Sequence, residues 1–140
     1  MILIQSWADA KQAAWPIRKR VFIEEQGVPE EMELDEFDLT AQHALAYLNS
    51  QCIGTARLAS LPGNIGRIGR MAVLPAHRSE GIGSQLLNAL ITKGKAQGLT
   101  QFELHAQLSA IPFYERFGFI AQGDIYDEAG IAHRDMMLII

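Results

Sequence analysis

The sequence predicts an α/β (α+β) domain over residues 1–140, a mixed, mostly antiparallel sheet of about seven strands with helices on both faces. Short apolar runs bounded by Gly, Pro, Asn and Ser recur along the whole chain, which is the pattern of successive strands. Apolar residues fall at helical spacing in two longer stretches, Ala10, Ala14, Ile17, Val21 and Ile82, Leu86, Leu90. The βαβ crossover from the strand at Arg67 to the strand at His105 is expected to make those two strands parallel, while short connections make antiparallel neighbours.

In chain order, Met1 to Trp7 reads as a first strand, and Ser6 or Asp9 can cap the helix that follows. Pro16 is expected to kink or divide that helix, which Gly27 and Pro29 close. Glu30, Glu31, Glu33, Asp35, Glu36 and Asp38 form an acidic run expected to be a solvated loop, because their spacing fits no calcium loop. Strands follow at His43 to Leu48, Cys52 to Leu61 and Arg67 to Leu74, separated by turns at Asn49-Ser50-Gln51 and Pro62-Gly63-Asn64. A helix from Glu80 ends near Gln97 and Gly98, and Phe102, Leu104 and Ala106 alternate in a fifth strand. Ser109 can cap a short helix that runs to Arg116 and closes at Gly118. Phe119 to Tyr126 and His133 to Ile140 are the last two strands, joined at Gly130.

The chain has 140 residues, 49% hydrophobic and 20% charged, enough for a core with a solvated surface. Its net charge of -4 gives no electrostatic reason to bind nucleic acid or an anionic membrane. No apolar run approaches the roughly 20 residues that span a bilayer, and the first residues do not read as a secretory signal. The lone cysteine, Cys52, cannot form an internal disulfide; the expected compartment is the cytoplasm, and the expected role of the thiol is structural. No metal site is expected, and apolar strand edges leave room for a homodimer.

The chemistry concentrates between Arg67 and Leu90. Pro75 ends the apolar run Met71-Ala72-Val73-Leu74, and Arg78-Ser79-Glu80-Gly81-Ile82-Gly83-Ser84 then opens a helix. A helix start leaves backbone N–H groups unpaired, the dipole favours negative charge there, and Gly81 and Gly83 put no side chain in the way. Arg78 adds a positive charge, so the turn predicts a pyrophosphate site. A Walker A loop is excluded because Ser84-Gln85 stands where Lys-Ser or Lys-Thr is needed, and the dinucleotide fingerprint because Leu86 replaces its third glycine.

The remaining pattern, R-x-x-G-x-G between strand and helix, closely resembles the pyrophosphate loop of the GNAT N-acetyltransferase superfamily. The stretch Ala110-Ile111-Pro112-Phe113-Tyr114-Glu115-Arg116-Phe117-Gly118-Phe119 matches the family's A-x-x-[FL]-Y-x-x-x-G-F after the fifth strand. Arg18-x-x-Val21-Phe22-x-x-Glu25-Gln26-Gly27-Val28-Pro29, His105-Ala106-Gln107 and Gly130-Ile131-x-His133-x-x-Met136 look like the ElaA-like branch.

The resemblance implies acetyl-CoA as co-substrate, held by Arg78, Ser79, Glu80, Gly81, Ile82, Gly83 and Ser84, with its pantetheine arm along Met71, Ala72 and Val73. It implies Tyr114 as the acid that protonates the leaving thiolate, a role a phenol with an ordinary pKa near 10 can fill. It brings His133 to the amine, as base or as orienting residue; His77 reads as solvated, and His105 as facing the cleft or covering the sheet. Arg18 and Arg70 meet either acidic groups of the acceptor or the Glu30–Asp38 run, and Gln26 and Gln107 offer hydrogen bonds to the acceptor. The expected reaction is direct transfer from a ternary complex to a small-molecule amine. A peptide acetyltransferase and a non-catalytic acyl-CoA-binding module are the alternatives.

Overall fold

In the strand Gln42–Leu48 (β2), Ala44 and Ala46 turn to one side and Leu45 to the other, and this alternation sorts the sheet into two faces. The computed structural model describes residues Met1–Ile140. The other strands are Ile2–Gln5 (β1), Gln51–Leu61 (β3), Ile65–Val73 (β4), Gln101–Gln107 (β5), Ile120–Glu128 (β6) and Ile131–Ile139 (β7). They form one seven-stranded sheet in the order β1-β2-β3-β4-β5-β7-β6. Every neighbouring pair is antiparallel except β4 and β5, as the βαβ crossover between those two predicts.

The helix Ile82–Ala96 (α4) covers one face, burying Leu86, Leu87, Leu90 and Ile91 on Ala44, Ala56, Leu58 and Phe102. Its Gly94 lies so close to β5 that a Cβ would stand 2.6 Å from the buried ring of Phe102. The helix Trp7–Arg18 (α1) covers the other face over β2 and β3, with Trp7, Ala10 and Ala14 on Leu45. The short helix Ile111–Glu115 (α5) lies on the α4 side.

Pro16 does not divide the first helix. The chain continues through Arg18 and widens into a π-helical turn over Lys19–Glu25, where Gln26 N–H reaches back to Val21 O at 3.1 Å. The wider winding carries Phe22, Glu25 and Gln26 to the edge of β4.

The acidic run is not a solvated loop. It forms two short helices, Glu30–Glu33 (α2) and Phe37–Thr40 (α3), and Glu33 and Asp38 are each only 2% exposed. Arg18 binds both: its Nε donates to Glu33 Oε1 at 2.9 Å, and its Nη1 donates to Asp38 Oδ1 at 2.7 Å. Arg57 of β3 donates to Asp35 at 2.7 Å and to Asp38 at 3.1 Å, and Arg70 of β4 donates to Asp35 at 3.2 Å. His43 Nε2–H donates to the Asp38 carbonyl at 3.0 Å. Residues from α1, β2, β3 and β4 thus tie the acidic segment down.

Burial pushes the Glu33 carboxyl above its ordinary range. Burial acts the same way on Asp38, but the hydrogen bonds and charge of Arg18, helped by Arg57, outweigh it and hold that carboxyl below the usual range. Burial pulls His43 down.

β4 opens the functional cleft. It pairs with β5 only over Ile65–Arg67 against Gln101–Glu103. On its other side Arg57 pairs with Gly69 and Thr55 with Ala72, so Arg70 and Met71 together oppose Ala56. Arg70 sits in this bulge at φ 50, an unusual conformation for a residue with a side chain. Beyond Arg67 the two strands part.

Candidate active site

Leu74 and Pro75 end β4, a short 3-10 turn spans Pro75–His77, and Ser79 and Gly81 adopt φ of 65 and 80 before α4 begins. The backbone N–H groups from Ser79 to Ser84 find no acceptor within the chain. No atom lies within 4 Å of where a Cβ of Gly81 would be, so the turn is open above its amides. At Gly83 a Cβ would meet Phe113 at 3.5 Å and Met71 at 3.8 Å, which close the floor. These open, unpaired amides at the positive end of α4 fit a diphosphate. The Glu80 side chain instead leans on His77 at 3.3 Å, leaving His77 half-buried rather than solvated.

Arg78 stands at the mouth as expected, but both its Nη atoms donate to Glu25 at 2.7 Å and its Nε donates to Val73 O at 3.0 Å. The hydrogen-bonded guanidinium of Arg78 holds the Glu25 carboxyl below its ordinary range. Arg116 has no carboxylate partner and lies over Phe113, 5.8 Å from the ring centre. Glu25 and Arg116 both stand inside motifs of the sequence, but nothing local marks either as a site residue.

From this turn a cleft of about 830 Å³ runs between the parted strands. Met71, Ala72 and Val73 form one wall, where the β4 edge facing away from β3 has no partner strand beyond Arg67. Tyr114 reaches in from α5 with its hydroxyl 4.0 Å from Met71 Sδ, braced edge-on by Phe113 and Phe119 at 5.1 and 5.9 Å. Burial pushes its phenol up to about 12. Such a hydroxyl keeps its proton throughout the neutral range and can donate it.

His133, 7% exposed, closes the far end. Its Nδ1–H donates to Ile131 O at 2.7 Å, which leaves Nε2 as the free nitrogen, 3.6 Å from Glu128 Oε2. Tyr126 stacks on it at 6.1 Å. His105 faces the cleft, with Nδ1 3.2 Å from Glu128 Oε1. Gln107 donates to Gln26 at 2.9 Å, joining β5 to the widened first helix across the opening.

One cleft therefore gathers Gln26, Arg70, Met71, Ala72, Val73, Gln107, Tyr114 and His133 with the glycine turn. Arg18 is not among them. It is 1% exposed and fully engaged by Glu33 and Asp38, so its expected contact with the acceptor is replaced by the other option, pairing with the acidic run. Arg70 lines the cleft, but it too is bonded to that run. Glu128 was missed because nothing local marks a carboxylate before the Gly130 turn; its neighbours come from β5 and β7. No three His, Cys, Asp or Glu side chains converge as metal ligands, and no helix is long and apolar enough to cross a membrane.

The family described as the acetyltransferase (GNAT) domain matches residues 8–140. The uncharacterized N-acetyltransferase YjcF of Bacillus subtilis is 36% identical over 126 residues, covering 89% of each chain. The protein ElaA of Escherichia coli is 34% identical over 125 residues, 86% of this chain and 81% of ElaA. The crystal structure of E. coli ElaA superposes with a TM-score of 0.88 over 98% of both chains, at 28% identity. An acyl-CoA N-acyltransferase from Pseudomonas aeruginosa superposes with a TM-score of 0.87 over 98% of both chains, at 29% identity. With that match spanning nearly the whole chain, and the amide-lined turn and parted β4–β5 edge in place, the chain belongs to the GNAT acetyltransferase family.

Proposed function

We propose that the protein transfers the acetyl group of acetyl-CoA directly to a primary amine of a small molecule. One observation carries this reading: a single cleft joins unpaired amides fit for a diphosphate, a buried phenol and a free imidazole nitrogen. Acetyl-CoA, when bound, supplies the acetyl group as an activated thioester. The amides from Ser79 to Ser84 hold its diphosphate, and the unpartnered edge of β4 at Met71, Ala72 and Val73 lies along its pantetheine arm. Tyr114 holds a proton at its hydroxyl for the departing sulfur, and His133 Nε2 accepts the proton that the amine gives up. The new N–C bond replaces the C–S bond, and the two proton transfers balance.

Cys52 does not line the cleft, and burial pushes its thiol up, which favours direct transfer over an acyl-enzyme on this residue. The lone thiol also supports a reducing cytoplasm as the compartment. The 34% identity with E. coli ElaA supports a place near the ElaA branch.

A thiol-release assay with acetyl-CoA against small amines and peptides tests the reading. Turnover with small amines is expected. Turnover with peptides alone favours a peptide acetyltransferase, and coenzyme A binding without turnover favours a binding module. With an accepted amine, His133→Ala is expected to lower turnover while leaving coenzyme A affinity intact. A base at this position gives the native rate a limb that rises with pH. That limb is expected to vanish in the variant, measured with the same acceptor. Its persistence removes the base role and leaves an orienting one.

A further inference from the structure

We infer that the acceptor is a di- or polyamine with a second positive charge, and that Glu128 and Asp135 are the residues that select for it. The inference rests on the acetyl-transfer reading of the cleft and narrows its acceptor. Along the cleft, Arg57, Arg67, Arg70 and Arg78 all end on carboxylates of the chain itself. Arg116, the one left over, lies over Phe113 beside the glycine turn, at the cofactor end. No cation is free at the acceptor end to receive a carboxylate or phosphate of a substrate.

The anions there are differently placed. Glu128, whose side chain is 44% exposed, has only imidazoles beside it, His105 at 3.2 Å and His133 at 3.6 Å. Neither partner is a permanent cation such as a guanidinium. Asp135, 60% exposed, accepts the Tyr126 hydroxyl at 2.5 Å and stands 3.8 Å from His105 Nε2. It lines a second cavity of about 350 Å³ that shares Arg67, Leu104 and His105 with the main cleft. The two carboxylates thus flank His105 on the sheet face that α1 leaves bare, one beside the inward-facing His133 Nε2 and one farther along.

An ammonium on its way to His133 meets Glu128, and a second ammonium on the same molecule reaches Asp135. An amino acid places its carboxylate against these like charges, and Arg67, the arginine of that cavity, is already held by Glu103 at 2.8 Å. Exposed ion pairs are modest and screened, so the selection is a preference that salt weakens.

The test compares 1,4-diaminobutane, butylamine and 4-aminobutyrate as acceptors at saturating acetyl-CoA. The diamine is expected to exceed the monoamine in kcat/KM by about threefold to tenfold, with 4-aminobutyrate lowest. Raising ionic strength is expected to shrink the ratio, chiefly through KM of the diamine. Asp135→Asn, which keeps an acceptor for Tyr126, and Glu128→Gln are each expected to bring the ratio of diamine to monoamine towards unity. Native protein is also expected to show a higher Tm with the diamine than with butylamine at equal concentration. Equal use of the three acceptors, or preference for 4-aminobutyrate, overturns the inference and leaves acetyl transfer standing. Failure to acetylate any amine while coenzyme A still binds overturns the acetyl-transfer reading and the inference with it.

Discussion

Tyr114→Phe is expected to lower kcat by about 10²–10⁴-fold, the usual contribution of a positioned general acid, with coenzyme A affinity nearly unchanged. The ring stays and only the hydroxyl goes. That hydroxyl's hydrogen-bond partner is Met71 Sδ at 4.0 Å, so its removal leaves no strong partner unpaired, and the packing on Phe113 and Phe119 survives. Unfolding by urea should therefore change little. Because burial raises the phenol to about 12, the acid form persists through the neutral range and should impose no falling limb on the native rate there. A loss under about threefold, with chemistry shown to be rate-limiting, would reduce Tyr114 to a packing residue.

Arg18→Met is the second large effect, and it acts on stability. Glu33 and Asp38 stay buried after the guanidinium is removed, and breaking a buried ion pair from one side costs about 3–5 kcal/mol. Urea unfolding measures the loss; a value under about 1 kcal/mol would mean the network behaves like a solvated surface pair. The pH dependence has a definite sign. Asp38 titrates below its unfolded value and His43 below its own, so each contributes stability that is present above the unfolded pKa and lost as pH falls. For His43 the loss begins below about pH 6.5, and for Asp38 below about 3.9. Glu33, raised by burial, runs the other way, and its protonation in acid relieves part of the strain.

The succession of elements along the chain and the glycine turn were legible because both are local. Alternation in β2 and β5, and the step from Pro75 to the amphipathic α4, depend on neighbours within one element. Tyr114, singled out by the second motif, lines the cleft from α5, a short helix set by its own sequence. The acidic run misled because its partners, Arg18, Arg57 and Arg70, come from three separate elements, and a charge run by itself carries no sign of them. Of the two outcomes expected at Pro16, division does not occur: the helix runs on through Arg18 into the widened turn at Lys19–Glu25. Glu128 and the bulge at Arg70 are products of strand pairing, which fixes register between distant segments.

Calorimetric titration of coenzyme A into the native protein and into Gly83→Leu tests most directly whether the glycine turn is the acyl-carrier site. A leucine there projects toward Phe113 and Met71, filling the floor beneath the open amides. Saturable binding to the native chain, absent in a Gly83→Leu variant that keeps its far-UV circular dichroism and Tm, is the predicted result. No binding by the native protein, or the same affinity in the variant, would contradict it.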